Sequence, residues 1–84
     1  MNNTKSNIQS NIPVKLIKKD IAVQLKLFWK TPDGIRINYE SLRKDVLTDD
    51  LLIRLGIKPG EYKKVYKFNR QQIKILIEEL DLTF

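Results

Sequence analysis

The sequence contains neither histidine nor cysteine. The side chains that could still perform catalysis near neutral pH are therefore the carboxylates. Without histidine the usual general base is missing, and without cysteine the common thiol nucleophiles and zinc sites cannot be built. The acids have structural explanations instead. Asp49 and Asp50 follow Thr48, where acids stabilise a helix N-terminus, and the acids near the C-terminus fit a solvated helix face. We therefore expect a protein that is not an enzyme.

Phosphate-binding cofactors have no recognisable site in the sequence. Its three glycines, Gly34, Gly56 and Gly60, are scattered and form no GxxxxGK(S/T) loop. We expect neither a cofactor nor a metal.

The charge balance favours a polyanionic partner. The 16 Lys and Arg residues against 10 Asp and Glu give a net charge of +6. A charge of this sign draws a protein toward nucleic acid by long-range attraction. The alternative is that the charge serves solubility alone, since small domains commonly carry a net charge of this size.

The length of 84 residues allows one small domain with a modest core. Residues 1–12, rich in Asn and Ser, are predicted to form a disordered tail, and residues 13–84 the domain. No apolar run approaches the ~18–20 residues that span a bilayer, and the N-terminus lacks the apolar segment of a secretory signal. We expect a cytoplasmic protein without membrane contact. The bias toward Ile, Lys and Asn suggests an AT-rich genome, such as that of a microbe or a mobile element.

A β-hairpin is the clearest local prediction. From Ile21 to Trp29 every odd-numbered residue is apolar, which is typical of a half-buried strand. The sequence Thr31-Pro32-Asp33-Gly34 then favours a tight turn, because Pro presets φ and Gly accepts a left-handed conformation. The pattern predicts antiparallel strands over about 20–30 and 35–40.

The turn also predicts the register of the hairpin. If Thr31 and Ile35 close the loop, Lys30 lies opposite Arg36, and this like-charge pair weakens a sheet unless an anion joins it. The odd-numbered residues, including Trp29, then face inward. The solvent face carries Lys26, Phe28, Lys30, Arg36 and Asn38.

A helix over Ile17–Trp29 is the alternative for the first strand. Ile17, Ile21, Leu25 and Phe28 fall on one helical face, although Val23 and Leu27 lie well off that stripe.

Four more elements are predicted after the hairpin. Two short helices cover about 39–46 and 48–55, with Asn38 and Thr48 as caps. A further strand is expected over 62–68. The C-terminal helix over 70–81 has the strongest start signal, because Asn69 and Gln72 have the spacing of a capping box. Together these elements predict an α+β fold.

The segment Leu47–Val65, LTDDLLIRLGIKPGEYKKV, resembles the latter half of a sterile alpha motif domain. In that family an acidic, Leu-rich helix is followed by Leu-Gly-Ile, then by a Gly and basic residues that open a long last helix. The resemblance implies such a helix starting near Gly60. It covers under a quarter of the chain, and the Thr31–Gly34 turn upstream suits strands instead, so we do not assign the chain to that family.

The first candidate binding surface is the solvent face of the hairpin. Phe28 is predicted to lie there among Lys26, Lys30 and Arg36. An exposed aromatic between cations is the composition of a base-stacking platform. The alternative is that another element covers this face and makes Phe28 part of the core.

The second candidate is the basic segment from Lys58 to Lys74, in which aromatic residues are interleaved. Such a composition suits phosphate contact combined with stacking, and the N-terminus of the last helix favours a phosphate. The alternative is a solvated amphipathic surface over core aromatics. The residues predicted to contact nucleic acid here are Lys63, Lys64, Tyr66, Lys67 and Arg70.

We therefore expect a small non-enzymatic protein that contacts DNA or RNA, single-stranded or duplex, through these two surfaces. One alternative is an adaptor or inhibitor that binds an acidic protein surface, and another is a homodimer formed along an exposed strand edge. Nucleic-acid binding weakens steeply with salt through counterion release, whereas an interface with apolar anchors is far less sensitive.

Overall fold

A computed structural model describes residues 12–84. The predicted tail, residues 1–12, lies outside the described residues apart from Ile12. Over the described part of the chain the fold is α+β, as predicted, with a two-stranded antiparallel sheet. In chain order the elements are helix α1 (Lys18–Gln24), strands β1 (Phe28–Thr31) and β2 (Gly34–Ile37), helix α2 (Tyr39–Ser41), a π-helical turn (Leu42–Val46), helix α3 (Asp49–Arg54), a 3₁₀ helix (Pro59–Lys64) and helix α4 (Arg70–Leu80).

The chain before β1 is helical, so the prediction of a strand from about residue 20 is wrong. Helix α1 buries Ile21 and Ala22 completely, and the Ile17 N–H donates a 3.0 Å hydrogen bond to the Asp20 carboxylate at its start. Val23, which lies off the buried side, is 40% exposed. Helical spacing prevails over period-two alternation because it brings these apolar side chains into a core shared with distant elements. The alternative prediction of a helix over Ile17–Trp29 is therefore correct for Lys18–Gln24, the residues of α1.

Lys26 follows α1 in a left-handed conformation, with a φ of 59°. This residue turns the chain from the helix toward β1, as the residue after a helix C-cap commonly does. The Leu27 N–H then donates to the Ala22 carbonyl at 2.8 Å. Lys26 is exposed but lies outside the sheet, so its predicted place on the solvent face of the hairpin is wrong.

The hairpin is present, with a register one residue away from the predicted one. Trp29 lies opposite Arg36, and Lys30 lies opposite Ile35. The predicted like-charge pair of Lys30 and Arg36 is therefore wrong. The difference arises at the turn, where only two residues lie between the last paired positions of the two strands.

The turn is tighter than predicted because Thr31 pairs directly with Gly34 across Pro32 and Asp33. Gly34 has a φ of 143°, a backbone conformation that is readily open to glycine and rare for other residues. The second strand ends at Ile37, earlier than the predicted residue 40.

The change of register exchanges the two faces of β1 relative to β2. Directly opposite residues share a face, and Phe28 and Ile37 lie together as a half-buried pair. Trp29 points to the other side and is 54% exposed. The exposed aromatic of the hairpin is therefore Trp29, and the predicted exposure of Phe28 as a stacking ring is wrong.

The two predicted short helices are present with their predicted caps. The Asn38 side chain accepts a 3.1 Å hydrogen bond from the Ser41 N–H at the start of α2. The Thr48 hydroxyl accepts one of 3.3 Å from the Leu51 N–H at the start of α3. Gly56, with a φ of 77°, follows the end of α3, as expected for a glycine just past a helix.

The segment predicted as a strand over 62–68 is instead the end of the 3₁₀ helix followed by extended chain. An isolated antiparallel bridge joins Lys67 to Ile17, and the Phe68 N–H donates to the Leu16 carbonyl at 3.0 Å. The pairing of this segment with Ile17 cannot extend into a strand, because the residues after Ile17 form helix α1 from Lys18 onward. The long helix implied near Gly60 by the sterile alpha motif resemblance does not form, and the last helix begins at Arg70.

Helix α4 starts where its capping box predicts. The Asn69 side chain accepts a 2.8 Å hydrogen bond from the Gln72 N–H, and the Gln72 side chain accepts one of 2.9 Å from the Asn69 N–H. Phe68 and Ile73, which occupy the two positions of a hydrophobic staple on either side of the capping box, are both buried. The helix ends at Leu80, one residue before the predicted end.

The core joins α1, the π-helical turn, α3 and α4. Burial of each aliphatic side chain contributes roughly 1.5–3 kcal/mol before the entropy of ordering is subtracted. The largest side chains with less than 2% exposure are Leu16, Ile21, Leu42, Leu47, Leu52, Ile73 and Leu76. Within residues 12–84, no helix has the length and apolar character needed to cross a membrane.

Candidate functional site

The three tyrosines of the sequence line two adjacent clefts on one face of the molecule. The larger cleft, about 750 Å³, is lined by Tyr39 and Tyr62 together with Lys18, Arg43 and other residues. The smaller, about 260 Å³, is lined by Tyr39, Tyr66 and Lys18 among others. Because Tyr39 and Lys18 line both, the clefts form one continuous surface. We call it the tyrosine face, and its aromatic and basic members are Lys15, Lys18, Lys19, Tyr39, Arg43, Tyr62, Lys63 and Tyr66.

Tyr62, in the 3₁₀ helix, is held by two cations from other elements. The Lys18 ammonium lies 3.9 Å from the centroid of its ring and donates a 2.8 Å hydrogen bond to its carbonyl oxygen. The Arg43 guanidinium carbon lies 5.2 Å from the same centroid. Both distances are within the range of a cation–π interaction. The start of α1, the π-helical turn and the 3₁₀ helix are therefore joined at this ring.

Arg43 is itself fixed in place. One guanidinium nitrogen, Nη1, donates to the Leu47 carbonyl at 3.1 Å, and Nη2 pairs with the Asp49 carboxylate at 2.6 Å. Arg43 belongs to the π-helical turn, a rare conformation that is frequent at functional sites. The turn and these hydrogen bonds hold the guanidinium beside Tyr62, with its charge paired to Asp49.

Burial shifts the two titratable groups at this contact. Desolvation lowers the pKa of the Lys18 ammonium below its ordinary value. Desolvation raises the pKa of the Tyr62 phenol; the Arg43 charge opposes this rise and Tyr39 adds to it. The Tyr62 hydroxyl oxygen is buried and makes no hydrogen bond with any described residue. Tyr62 is thus a wall of the cleft rather than a group that exchanges protons near neutral pH.

The other two tyrosine rings are open to solvent. Tyr39 is 50% exposed and Tyr66 is 68% exposed. The Lys15 ammonium lies 5.4 Å from the Tyr66 centroid. Lys63, in the larger cleft, is exposed, and so is the acidic residue Glu40 that lines the same cleft. The surface therefore offers flat aromatic faces beside cations, a combination that accepts planar groups carrying negative charge.

The predicted contact residues of the basic segment divide between two places. Lys63 and Tyr66 lie on the tyrosine face. Lys64, Lys67 and Arg70 are exposed, and none of them lines either cleft.

The predicted contact residues of the hairpin lie elsewhere. Lys26, Lys30 and Arg36 are exposed, whereas Phe28 is half-buried. None of these four lines either of the two clefts described for residues 12–84. The two predicted surfaces are therefore not brought together in one cleft.

The sequence singled out only Lys63 and Tyr66 of the tyrosine face; among the members it did not single out are Lys18, Tyr39 and Arg43. Lys18 and Arg43 belong to short basic pairs that resemble solvated surface, and Tyr39 was placed in the hairpin. The signal that links Lys18 to Tyr62 is tertiary, since 44 residues separate them. Local periodicity cannot reveal such a pairing.

Within residues 12–84, no group of three or more His, Cys, Asp or Glu side chains could hold a metal ion. The cations and aromatic rings of the tyrosine face can bind a ligand through charge and stacking. Comparison with protein-family models, with curated proteins and with solved structures finds no match to this chain, so its function is inferred from this geometry.

Proposed function

We propose that this protein is a cytoplasmic, non-enzymatic protein that binds nucleic acid, with the tyrosine face as its main contact surface. One observation carries the proposal: the Lys18 ammonium and the Arg43 guanidinium both lie over the Tyr62 ring, in a cleft that the exposed ring of Tyr39 also lines. The phosphate backbone requires cations, and exposed bases stack on aromatic rings. The tyrosine face supplies both within two adjoining clefts.

The roles within the tyrosine face follow from exposure. Lys63 is exposed and makes no ion pair with the described residues, so it is placed to contact phosphate. Tyr66 is the more open of the two exposed rings and is placed to stack. Lys18 and Arg43 add positive potential while holding the wall of the larger cleft.

Cations outside the two clefts extend the proposed contact surface. They supply sequence-independent phosphate contacts, which add affinity at low salt without base specificity. These residues are Lys26, Lys30, Arg36, Lys64, Lys67 and Arg70. Trp29, opposite Arg36, takes the stacking role first assigned to Phe28 on the hairpin.

Fluorescence anisotropy with labelled oligonucleotides, at low and near-physiological salt, tests the proposal. We expect micromolar or tighter binding at low salt with a steep loss on raising the salt concentration. Lys63→Ala should weaken binding several-fold. Lys44→Ala, which removes the same charge from an exposed site outside both clefts, is the matched control and should weaken it less. No binding to any oligonucleotide at low salt would overturn the proposal.

A protein partner is the second candidate, and the hairpin favours it. In the described part of the chain the sheet contains β1 and β2 alone, so each strand has one edge without a partner strand. Free edges can pair with another chain, and exposed Trp29 and Ile35 add apolar area nearby. A homodimer of this kind would show twice the monomer mass in sedimentation without affinity for polyanions. A protein partner held through apolar anchors such as Trp29 and Ile35 would bind with much weaker salt dependence than nucleic acid.

A further inference from the structure

We infer that the tyrosine face takes unpaired nucleotides, with Tyr39 as the ring shared by two successive bases, and that the protein therefore prefers single-stranded nucleic acid over duplex. This inference rests on the proposed function and specifies its ligand. It assigns the base-contacting role to Tyr39, a residue outside the basic segment and outside both strands.

The dimensions of the clefts suit single nucleotides. Sites for small organic ligands typically enclose ~300–1,000 Å³, and the larger cleft, at about 750 Å³, falls in this range. The smaller cleft, at about 260 Å³, lies near its lower limit. Two compartments with a common wall match the repeating base-and-phosphate structure of a strand better than they match one compact ligand.

The exposure of the rings selects Tyr39 as the common stacking position. Tyr62 is half-buried, with cations from Lys18 and Arg43 over its ring. Tyr39 is 50% exposed, has no cation–π partner among the described residues, and lines both clefts. Tyr66 lines the smaller cleft but not the larger one. A base in either cleft can therefore reach Tyr39.

The cations are distributed as a strand requires. Lys63 lies in the larger cleft and Lys19 in the smaller, and both are exposed. Lys18 lies between them, where the phosphate linking two bases would pass. Its ammonium donates to the Tyr62 carbonyl and lies over the Tyr62 ring, which leaves at least one of its three N–H donors for that phosphate. Glu40, the acid of the larger cleft, disfavours phosphate at its own position and so helps to define the path.

Duplex nucleic acid cannot use these rings. Its bases are stacked on one another and present only their edges in the grooves, so a tyrosine ring meets no free aromatic face. A duplex can still contact the lysines through its phosphates. Removal of a lysine should therefore weaken the binding of single strand and duplex alike, whereas removal of the Tyr39 ring should weaken the binding of the single strand alone.

The test is an anisotropy titration of the full chain with a single strand and with the duplex of the same sequence. We expect the single strand to bind more tightly than the duplex at near-physiological salt. Tyr39→Ala should weaken single-strand binding about 5- to 100-fold, the range expected for loss of one stacking partner, and should change duplex binding less than two-fold. Tyr39→Phe keeps the ring and should bind the single strand as the unmodified protein does, and Lys63→Ala should weaken both forms.

The outcomes separate this inference from the proposed function. Equal affinity for both forms, together with no selective effect of Tyr39→Ala, would overturn the single-strand inference while binding itself persists. Absence of binding to either form at low salt would overturn the proposed function as well. A mononucleotide that displaces the strand at a comparable concentration would overturn the assignment to a strand and identify a free nucleotide as the ligand.

Discussion

The side-chain amide of Gln24 forms a two-way hydrogen-bonded clasp with the backbone of Thr83. Its oxygen accepts from the Thr83 N–H at 2.9 Å, and its nitrogen donates to the Thr83 carbonyl at 2.5 Å. The clasp joins the end of α1 to the last residues of the chain. Leu82, next to it, is buried at 5% exposure. The segment after α4 is thereby held against the body of the fold by contacts that are remote in sequence.

Loss of this clasp should lower stability. Gln24→Ala removes two hydrogen bonds and leaves the Thr83 backbone groups to water, and we expect a loss of about 1–2 kcal/mol in the free energy of unfolding. Urea denaturation followed by circular dichroism measures it. Gln71→Ala is the matched control because the Gln71 side chain is exposed and makes no hydrogen bond with a described residue. Equal stability of the two variants would show that the clasp contributes nothing.

Removal of the Tyr62 hydroxyl should not destabilise the protein. The oxygen is buried without a hydrogen-bond partner among the described residues, so Tyr62→Phe removes an unsatisfied polar group and keeps the ring under Lys18. We expect the free energy of unfolding to stay equal or to rise by up to about 1 kcal/mol. A clear loss in urea denaturation at neutral pH would contradict this expectation.

The same variant should have an advantage that grows at alkaline pH. Burial raises the pKa of Tyr62 above its ordinary value of 10.0. The unfolded chain therefore releases the phenol proton first, and the contribution of Tyr62 to stability falls as pH rises above that value. Tyr62→Phe lacks this loss. The Lys18 pKa is lowered by burial, so its contribution changes in the opposite direction with pH, but equally in both proteins. Urea midpoints at neutral and alkaline pH give the difference, and a constant gap between the two proteins would contradict it.

Helix α4 and the helix caps could be predicted from the sequence because their determinants are local. Asn69 and Gln72 are three residues apart, and the side chain of each accepts a hydrogen bond from the backbone N–H of the other. The Thr48 hydroxyl caps α3 by accepting from the N–H of Leu51, three residues later. The hairpin was found for the same reason, since Pro32 and Gly34 act within one turn. Interactions of this kind need no knowledge of the rest of the fold.

Helix α1 and the tyrosine face could not be predicted in this way, because tertiary contacts decide them. Ile21 fits either a strand or a helix by its spacing, and only the complete burial of Ile21 and Ala22 in a shared core favours the helix. Lys18 and Tyr62 meet across 44 residues. Their partnership depends on how α1 and the 3₁₀ helix pack, which periodicity does not encode.

The register of the hairpin can be tested by cross-linking, because the chain has no native cysteine. Lys30 and Ile35 are directly opposite and share a face. Opposite residues of antiparallel strands lie ~4.5–5.5 Å apart at Cα, a separation that a disulfide spans. Lys30→Cys with Ile35→Cys should therefore oxidise readily to an intramolecular disulfide. Free-thiol titration and mass spectrometry would follow the reaction.

The control for this cross-link is Lys30→Cys with Arg36→Cys, which the predicted register would have placed opposite each other. In the observed register these two residues point to opposite faces of the sheet. Oxidation should therefore be much slower. Faster oxidation of the control pair would show that the one-residue shift is wrong.

The contribution of the hairpin to nucleic-acid binding can be measured through salt dependence. Lys30→Ala with Arg36→Ala removes two exposed cations from the sheet. If both contact phosphate, the slope of log K against log salt concentration should fall in magnitude by about 1.4 for a single strand and about 1.8 for duplex, since each contact contributes ~0.7 or ~0.9. Lys44→Ala with Lys74→Ala makes the same change in net charge at exposed positions on other elements, and this pair should alter the slope less.

Trp29, the single tryptophan of the chain, lies opposite Arg36 and reports the same contact through quenching of its fluorescence. An unchanged slope together with unquenched Trp29 would restrict binding to the tyrosine face and remove the hairpin from the contact surface.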